Sequence, residues 1–258
     1  MGGSTRVVVV VPCYNEASRL PVGSFETFFA EYPEFRFLFV NDGSSDDTLG
    51  VLQKLQIRCP SCVDVLNQER NQGKAEAVRC GLLRAISVNG AGFAGYWDAD
   101  LATPLSELPR LFDILLSKPA VEMLLGSRVN MLGRRIQRRS TRHYFGRIFA
   151  TFTSSVLDIP VYDTQCGAKL LRLTPAVKEA LATPFQSRWV FDVELIARFL
   201  RSYPGDFGQA VAALYEEPLL QWTDVDGSKV KLMDGFKAFK DLFDIRRRYR
   251  KRLRHSFT

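Results

Sequence analysis

Short apolar runs alternate with longer amphipathic segments over the first half of the chain, and this alternation constrains the fold more than any other feature. The apolar runs are rich in β-branched and aromatic residues, and they read RVVVVVP, FRFLFV, VDVLNQ, GFAGYW and VEMLLGS. Continuous apolar strands that alternate with helical segments are typical of a parallel sheet covered on both faces. The sequence therefore predicts an α/β fold with a Rossmann-like, mostly parallel central sheet and helices on both faces.

The alternation weakens after residue 127. An Arg-rich stretch leads to a predicted helix over residues 144–157, a second helix is expected after Arg188, and residues 210–222 (AVAALYEEPLLQW) have a strand-like pattern. An amphipathic helix is predicted over residues 231–249. Since the sequence shows no internal repeat and no low-complexity linker, we expect one domain over residues 1–258.

Composition excludes several classes of protein. A chain of 258 residues with 46% apolar and 24% charged residues can bury a large core, which rules out a disordered or disulfide-stapled chain. No apolar run approaches the roughly 20 residues of a membrane-spanning helix, and no signal peptide is recognised. The odd cysteine count of 5 fits reduced thiols, which predicts a cytoplasmic protein.

The net charge of +7 is concentrated in two stretches. Residues 128–147 contain arginines and no acidic residue, and residues 246–254 read RRRYRKRLR. Such stretches attract phosphate groups, anionic lipid or nucleic acid, and charge alone does not choose among them.

Polar loops follow three of the predicted strands: PCYNE at residues 12–16, NDGSSDDT at residues 41–48 and DAD at residues 98–100. In an open α/β sheet, ligands bind beyond the carboxyl ends of the strands, so the three loops are expected to face one crevice. Asp98 and Asp100 can converge on a hard divalent cation such as Mg²⁺ or Mn²⁺. The alternative is that they cap the following helix, as Ser44 and Asp47 would in a capping box.

Eight ordered motifs resemble those of inverting glycosyltransferases of family two with the GT-A fold. The first four are PCYNE, VNDGSSDDT, NQGKAEAVRCG and DAD; GSR at residues 126–128, DTQCGAKLL at 163–171, RWVFDVEL at 188–195 and WTDVDGSKV at 222–230 follow. The last four resemble the dolichyl-phosphate glucosyltransferase and mannosyltransferase branch, with the glucosyl enzymes nearer. The resemblance implies a single GT-A domain that transfers a hexose, with glucose from UDP-glucose expected, to a polyprenyl phosphate.

The resemblance also implies roles for residues on the donor side. Tyr14 would lie against the base, Glu16 would bind ribose hydroxyls and Asp42 would accept the imide N–H of a uracil. Lys74 would supply charge near the nucleotide, Asp98 would contact ribose or sugar, and Asp100 would hold a metal ion on the diphosphate. The full nucleotide-sugar set is Pro12, Tyr14, Asn15, Glu16, Asp42, Gly43, Lys74, Asp98 and Lys229.

On the acceptor side, arginines would orient a lipid phosphate. A phosphate monoester carries about −1.5 to −2 charge at pH 7 and is its own nucleophile, so no general base is required. The expected phosphate ligands are Arg128, Arg138, Arg142, Gln165 and Arg188. With a sugar-hydroxyl acceptor, Asp192 would be the candidate base; its alternative role is a buried carboxylate that holds a loop. The expected catalytic set is Asp98, Asp100, Arg128 and Asp192.

This interpretation divides the chain into a donor half (residues 1–127), an acceptor half (128–230) and a C-terminal amphipathic helix with a basic tail (231–258). The tail predicts a peripheral enzyme on the anionic, cytoplasmic face of a membrane. Other donors such as GDP-mannose, or a soluble acceptor, stay open. A nucleotidyltransferase would need a Gly-rich loop after the first strand, and a nucleic-acid-binding protein would leave NDGSSDD and DAD unexplained, so no nucleic acid is expected as a partner.

Overall fold

The computed structural model describes residues 7–88, 90–137, 140–203, 205–225 and 232–253. The strands are β1 (Val7–Cys13), β2 (Phe35–Asp42), β3 (Val63–Gln68), β4 (Phe93–Trp97), β5 (Met123–Ser127), β6 (Arg135–Gln137), β7 (Ala168–Arg172), β8 (Leu214–Pro218) and β9 (Gln221–Thr223). The helices are α1 (Val22–Glu31), α2 (Thr48–Arg58), α3 (Lys74–Ile86), α4 (Glu107–Ser117), α5 (Ser140–Leu157), α6 (Pro175–Leu181), α7 (Phe191–Arg201), α8 (Phe207–Ala212) and α9 (Leu232–Leu253).

Seven strands form the central sheet of a single α/β domain, in the order β3-β2-β1-β4-β7-β5-β8. All neighbouring pairs are parallel except those of β7, which runs antiparallel to both β4 and β5. The predicted mostly parallel sheet is therefore confirmed. β6 and β9 form a separate two-stranded parallel ribbon.

The sheet is buried on both faces, and β1 shows why its sequence is a continuous run of valines. Val8 and Val10 belong to the core under α3, α6 and α7, whereas Val7, Val9 and Val11 belong to the core under α1, α2 and α4. Successive side chains of a strand point to opposite faces, so a strand covered on both sides must be apolar throughout.

The structure corrects the element boundaries of the second half. Residues 210–222 are not one strand: α8 occupies the first part, and its start is capped because the Asp206 carboxylate accepts the Gln209 N–H at 2.7 Å. A short apolar run does not by itself distinguish a helix from a strand. The expected helix at 144–157 begins earlier, at Ser140, and the C-terminal helix extends to Leu253.

None of the helices in the described ranges is both long and apolar enough to span a bilayer. The longest, α9, buries Leu242, Ile245 and Tyr249 against the domain.

Candidate active site

The loops after β1 and β2 form one hydrogen-bonded unit. Asn15 adopts a left-handed conformation (φ 51°), its N–H donates to Ser44 Oγ at 3.0 Å, and its side-chain oxygen accepts the Ser45 N–H at 2.9 Å. The Glu16 N–H donates to Thr48 Oγ1 at 2.8 Å. Ser44 is thus part of this loop pair and makes no capping hydrogen bond to α2, so the capping-box interpretation is wrong.

Asp42 connects this unit to the loop before α3. Its buried carboxylate accepts the N–H of Gln72 (2.7 Å), the N–H of Gly73 (2.9 Å) and the side-chain amide of Asn71 (3.0 Å). Burial raises the pKa of Asp42, and the two backbone donors offset part of that rise. A carboxylate offers about four acceptor positions, so these three donors leave room for one more.

Gly43 permits the close approach of these two loops. Its φ is +58°, and a Cβ placed on it would lie 2.3 Å from the carbonyl carbon of Arg70. Both the backbone conformation and the space therefore require glycine.

The ion pair between Lys74 and Asp98 joins the start of α3 to the end of β4. Lys74 Nζ lies 2.5 Å from Asp98 Oδ1. Burial alone would raise the pKa of Asp98, but nearby positive charge, chiefly that of Lys74, lowers it. Burial alone would lower the pKa of Lys74, but nearby negative charge, chiefly that of Asp98, raises it. The Asp98 N–H also donates to the carbonyl of Gly167 at 3.0 Å, and a Cβ on Gly167 would collide with the Asp98 carboxylate.

Asp100 differs from Asp98 because negative charge surrounds it. Its side chain reaches solvent and accepts the Ala102 N–H at 3.1 Å. Partial burial of the carboxylate raises the pKa of Asp100, and the negative charges of Asp98 and Glu16 raise it further. A carboxylate in this environment is suited to a cation.

The residues present fit a divalent cation only in company with a ligand. Among the residues that the structure describes, no three acidic, His or Cys side chains converge as a metal site. Mg²⁺ and Mn²⁺ are commonly held by one or two carboxylates together with substrate phosphates, and Asp100 can supply one such carboxylate.

Arg128, at the end of β5, is held by Asp163. Its Nε and Nη2 lie 2.6 Å and 2.7 Å from the two carboxylate oxygens, and its guanidinium lies over the Trp222 ring, 5.4 Å from the centroid. The bidentate pair raises the pKa of Arg128 despite burial and uses two of its five N–H donors. Gln165 lies two residues after Asp163, and its buried Nε2 has no hydrogen-bond partner within the described structure.

Asp192 is buried at the start of α7 rather than facing an acceptor. Lys169 Nζ lies 2.8 Å from its Oδ1, and the Tyr96 hydroxyl donates to the same oxygen. Burial raises the pKa of Asp192 to about 8 and lowers the pKa of Lys169 to about 8. Asp192 thus has two protein partners in the structure, which fits a buried carboxylate that holds a loop, and its catalytic role stays a prediction.

Some of the remaining expected residues are described by the structure, and others lie outside the described residues. Pro12 pairs with Val40 in the register of β1 and β2, and Tyr14 is exposed. The Glu16 carboxylate forms an ion pair with Arg19 at 2.5 Å. Arg188 is exposed, and its side chain lies beside Gly73, at the start of α3. Lys229, Arg138 and the side chain of Arg142 lie outside the described residues.

Two residues of the site were missed by the sequence analysis. Asp163 holds Arg128, and Lys169 holds Asp192. Both lie in DTQCGAKLL, a motif from which the sequence analysis took only Gln165 as a site residue. A charged residue within the apolar run of a buried strand, as Lys169 is, was the available signal.

Comparison with known proteins identifies the family of this chain. The family model described as "Glycosyl transferase family 2" matches residues 8–177. A "Dolichyl-phosphate beta-glucosyltransferase" from Drosophila melanogaster is 32% identical over 95% of this chain and 76% of its own length. The protein of the same name from Mus musculus is 33% identical over 93% and 75%, respectively.

Solved structures share the fold at lower identity. Glucosyl-3-phosphoglycerate synthase from Mycobacterium tuberculosis in complex with UDP has a TM-score of 0.64 at 16% identity, covering 93% of this chain and 80% of that one. Mannosyl-3-phosphoglycerate synthase from Rubrobacter xylanophilus has a TM-score of 0.63 at 15% identity, covering 96% and 75%. The fold and the strand-end loops define a glycosyltransferase with the GT-A fold. The chain belongs to glycosyl transferase family 2.

Proposed function

We propose that this glycosyltransferase transfers glucose from UDP-glucose to a polyprenyl phosphate, with inversion at the anomeric carbon and with a divalent cation. The relatives that are 32% and 33% identical over nearly the whole chain carry the name dolichyl-phosphate beta-glucosyltransferase, which supports both the sugar and the acceptor class. Because UDP-glucose is an α-linked donor, a β-linked product requires inversion in a single displacement.

Four acids of the acceptor half, each engaged by another group of the protein, are the structural observation that carries the proposal. Asp163 is bound by Arg128, Asp192 by Lys169, and Glu194 by Arg198 at 2.7 Å. Glu216 accepts the backbone N–H groups of residues 162 and 163 at 2.8 Å and 2.6 Å. Each of these four carboxylates already binds another group of the protein. A sugar hydroxyl would need a carboxylate to remove its proton, so an acceptor that brings its own anionic nucleophile fits this arrangement better.

The proposed displacement balances without a protein base. An oxygen of the acceptor phosphate attacks C1 of glucose, the bond between C1 and the β-phosphate oxygen breaks, and UDP leaves with the electron pair. Arg128 would orient the acceptor through donors that Asp163 does not engage, with Gln165 Nε2 beside it. Arg138 and Arg142 stay proposed ligands on the same stretch of chain.

The donor would lie across the loops after β1, β2 and β4. The exposed Tyr14 would lie against the base, and Asp42 would use its remaining acceptor position for the imide N–H of uracil. Arg188 lies beside Gly73, which supports a role at the diphosphate in addition to the proposed role at the acceptor phosphate. A cation held by Asp100 would supply Lewis-acid charge to the departing diphosphate. Glucosyl-3-phosphoglycerate synthase, which shares the fold, has been solved in complex with Mn²⁺ and UDP-glucose.

A lipid acceptor requires access to a membrane, and an apolar face of α5 and α9 provides a surface for it. Ile148 and Phe152 of α5 are each 52% exposed, and Phe243 of α9 is 67% exposed. Phe239 joins the two helices, with its ring 5.2 Å from that of Phe152. The exposed basic residues Arg147, Lys237, Lys240 and Arg247 lie on the same two helices.

We propose that this α5–α9 face, with the basic tail, binds anionic lipid on the cytoplasmic side. Apolar side chains that enter the interface and basic residues worth roughly 1 kcal/mol each near an anionic surface together suffice for peripheral binding. The test is sedimentation with vesicles that contain phosphatidylserine. Both Phe152→Ser/Phe243→Ser and deletion of residues 246–258 should reduce binding, whereas Ile57→Ser, an exposed apolar residue of α2, should not.

The transfer assay tests the reaction itself. Purified protein with Mg²⁺ or Mn²⁺ and a short polyprenyl phosphate receives UDP-glucose, UDP-galactose, UDP-N-acetylglucosamine or GDP-mannose separately, and lipid products are identified by mass spectrometry. We expect a β-linked glucosyl lipid from UDP-glucose and none from Asp100→Asn. A product from GDP-mannose alone would overturn the donor assignment. Nucleotide binding without any lipid product would overturn the acceptor and favour a soluble one.

A further inference from the structure

A buried ammonium group connects three segments of the site. Lys169 lies in β7, and its side chain is 0% exposed. Its Nζ donates to the carbonyl of Cys166 at 2.6 Å and lies 2.8 Å from Asp192 Oδ1. The Tyr96 hydroxyl donates to that same oxygen, and the ammonium lies 5.1 Å from the centroid of the Tyr96 ring. One cation therefore contacts β4, the loop before β7 and the start of α7.

Each of the three segments carries a residue of the site within a few positions. Tyr96 lies two residues before Asp98 in the strand that ends at DAD. Cys166 lies between Gln165 and Gly167, whose carbonyl accepts the Asp98 N–H. Asp192 lies in the first turn of α7, the helix that follows the exposed Arg188. The network thus connects the donor loop after β4 to the acceptor loop of residues 163–167.

Stability does not explain a charge at this position. Burying an ion pair costs several kcal/mol per ion, and replacing such a pair by apolar residues of similar volume is often neutral or stabilising. Leu171 and Val193, the chain neighbours of the pair on the same face of the sheet, are fully buried in the apolar core. An apolar pair would fill this space, but it would not bind the carbonyl of Cys166 or the hydroxyl of Tyr96.

We propose that Lys169 is a positioning residue for the transfer reaction: together with Asp192 it sets the spacing between the aspartates after β4 and the Asp163 to Gly167 loop, and so the alignment of donor and acceptor. The inference rests on the proposed function and adds a residue to it. The nucleotide loops at residues 14–16, 42–45 and 71–73 are held by their own hydrogen bonds, none of which involves Lys169. Recognition of the base by these three loops is therefore expected to be independent of Lys169.

The decisive comparison is between Lys169→Met and the double variant Lys169→Met/Asp192→Leu. The single variant leaves Asp192 without its cation and should lower the melting temperature. The double variant removes both charges and should recover most of that loss. We expect kcat to stay at least tenfold below that of the natural protein in both variants, while the Kd for uridine, measured without a divalent cation, changes less than twofold. Recovery of kcat together with stability in the double variant would overturn the proposal, because the pair would then be structural only.

A matched control uses an ion pair of the same sheet that lies away from the site. Arg36 and Asp64 join β2 to β3, with Nε 2.9 Å from Oδ2, and Arg36 stands at the amino end of β2. The double variant Arg36→Met/Asp64→Leu should leave kcat and the KM for the acceptor unchanged. Tyr96→Phe provides a milder third variant, which removes one hydrogen bond to Asp192 and should lower kcat less than Lys169→Met does.

Hydrogen exchange separates this inference from the proposed function because it needs no turnover. In Lys169→Met, amide exchange at residues 96–100, 163–167 and 190–194 should rise together, and exchange at residues 41–45 should not. If no donor and acceptor give product but the three segments respond together, the proposed function fails and the coupling stands. If one segment responds alone, Lys169 does not connect them and the inference is wrong.

Discussion

Lys74 Nζ and Asp98 Oδ1 lie 2.5 Å apart and bring together the two loops that carry the expected donor residues. Asp98 directly follows β4, whereas Lys74 begins α3, and 24 positions of chain separate them. The pair keeps Asp98 ionised where burial alone would favour its protonated form. Asp100, two residues later, lacks this compensation from Lys74 at contact distance, and its pKa moves in the opposite direction.

Replacing Lys74 should affect activity more than stability. The side chains of Lys74 and Asp98 are 43% and 30% exposed, so Lys74→Met should lower the free energy of unfolding by no more than about 1 kcal/mol at pH 7. Because the pKa of Asp98 is lowered in the folded protein, this difference should shrink as the pH falls and Asp98 becomes protonated. Urea unfolding at pH 7 and pH 3 measures both.

The matched variant for Lys74 is Lys54→Met. Lys54 pairs with Asp47 at 3.9 Å, and both side chains are more than two-thirds exposed. We expect no measurable change in stability or transfer for this control, against a loss of about 100-fold in kcat/KM for Lys74→Met, the size typical of removing one electrostatic contact from a site. Equal effects of the two variants would refute a role for Lys74 in the site.

Asp100→Asn should stabilise the protein while abolishing transfer. The raised pKa shows that the ionised form is disfavoured in the folded state, so the natural protein is destabilised above that pKa and unaffected below the unfolded value. Because Asp100 is exposed, solvent screens its unfavourable charge and the gain is small: the variant should melt roughly 1–2 °C higher at pH 7, or about 0.5 kcal/mol in a domain of this size, and the gain should vanish near pH 3. Calorimetry across this pH range checks the sign.

Asp46→Asn is the contrasting variant. The Asp46 carboxylate accepts the N–H groups of Thr48 and Ala17 at 3.0 Å and 3.1 Å, and the hydrogen bonds lower its pKa although burial opposes them. We therefore expect a lower melting temperature at pH 7, a change opposite to that of Asp100→Asn. A rise in both variants would show a general effect of net charge instead.

Gly43→Ala should disrupt the donor loops. A Cβ there meets the backbone of Arg70 at 2.3 Å in addition to the positive φ, whereas Gly133 has a φ of +81° with nothing within 4 Å of its Cβ. Gly133→Ala should therefore lose only the roughly 1–2 kcal/mol of the left-handed conformation. Gly43→Ala should lose more than this and should weaken UDP binding at least tenfold, as measured by calorimetric titration. Similar losses at both glycines would contradict the close approach of the loops.

Arg128→Lys tests the acceptor side. A lysine cannot reproduce the two parallel hydrogen bonds to Asp163, so we expect the KM for the polyprenyl phosphate to rise at least tenfold while UDP affinity is unchanged. Arg36→Lys alters a similar two-contact pair with Asp64 and should leave both constants as they are. A change in UDP affinity at Arg128→Lys would place this arginine on the donor side.

The fold was largely predictable because the apolar runs of the first half are long and their period changes clearly between strand and helix. Less was predictable after residue 127. Ala210 to Ala212 fit a strand or a helix equally well, and only the capping carboxylate of Asp206 and the packing of α8 decide for a helix. The direction of β7 was equally undetermined, because a short apolar pattern such as AKLLR is found in parallel and in antiparallel strands alike.

The sequence by itself determined which side chains collect at the carboxyl edge of the sheet, because parallel strands must present their following loops together. It thereby predicted that Asp42, Asp98 and Asp100 share one edge of the sheet, whereas Lys74 was assigned to the same site only by the family resemblance. Only the tertiary structure decided which charges meet. Arg128 pairs with Asp163, and Lys169 pairs with Asp192. Both pairs form because β7 lies antiparallel between β4 and β5, and α7 packs against the face of the sheet to which Lys169 points. Partner choice between distant residues depends on which elements become neighbours, and no local pattern of residues contains that information.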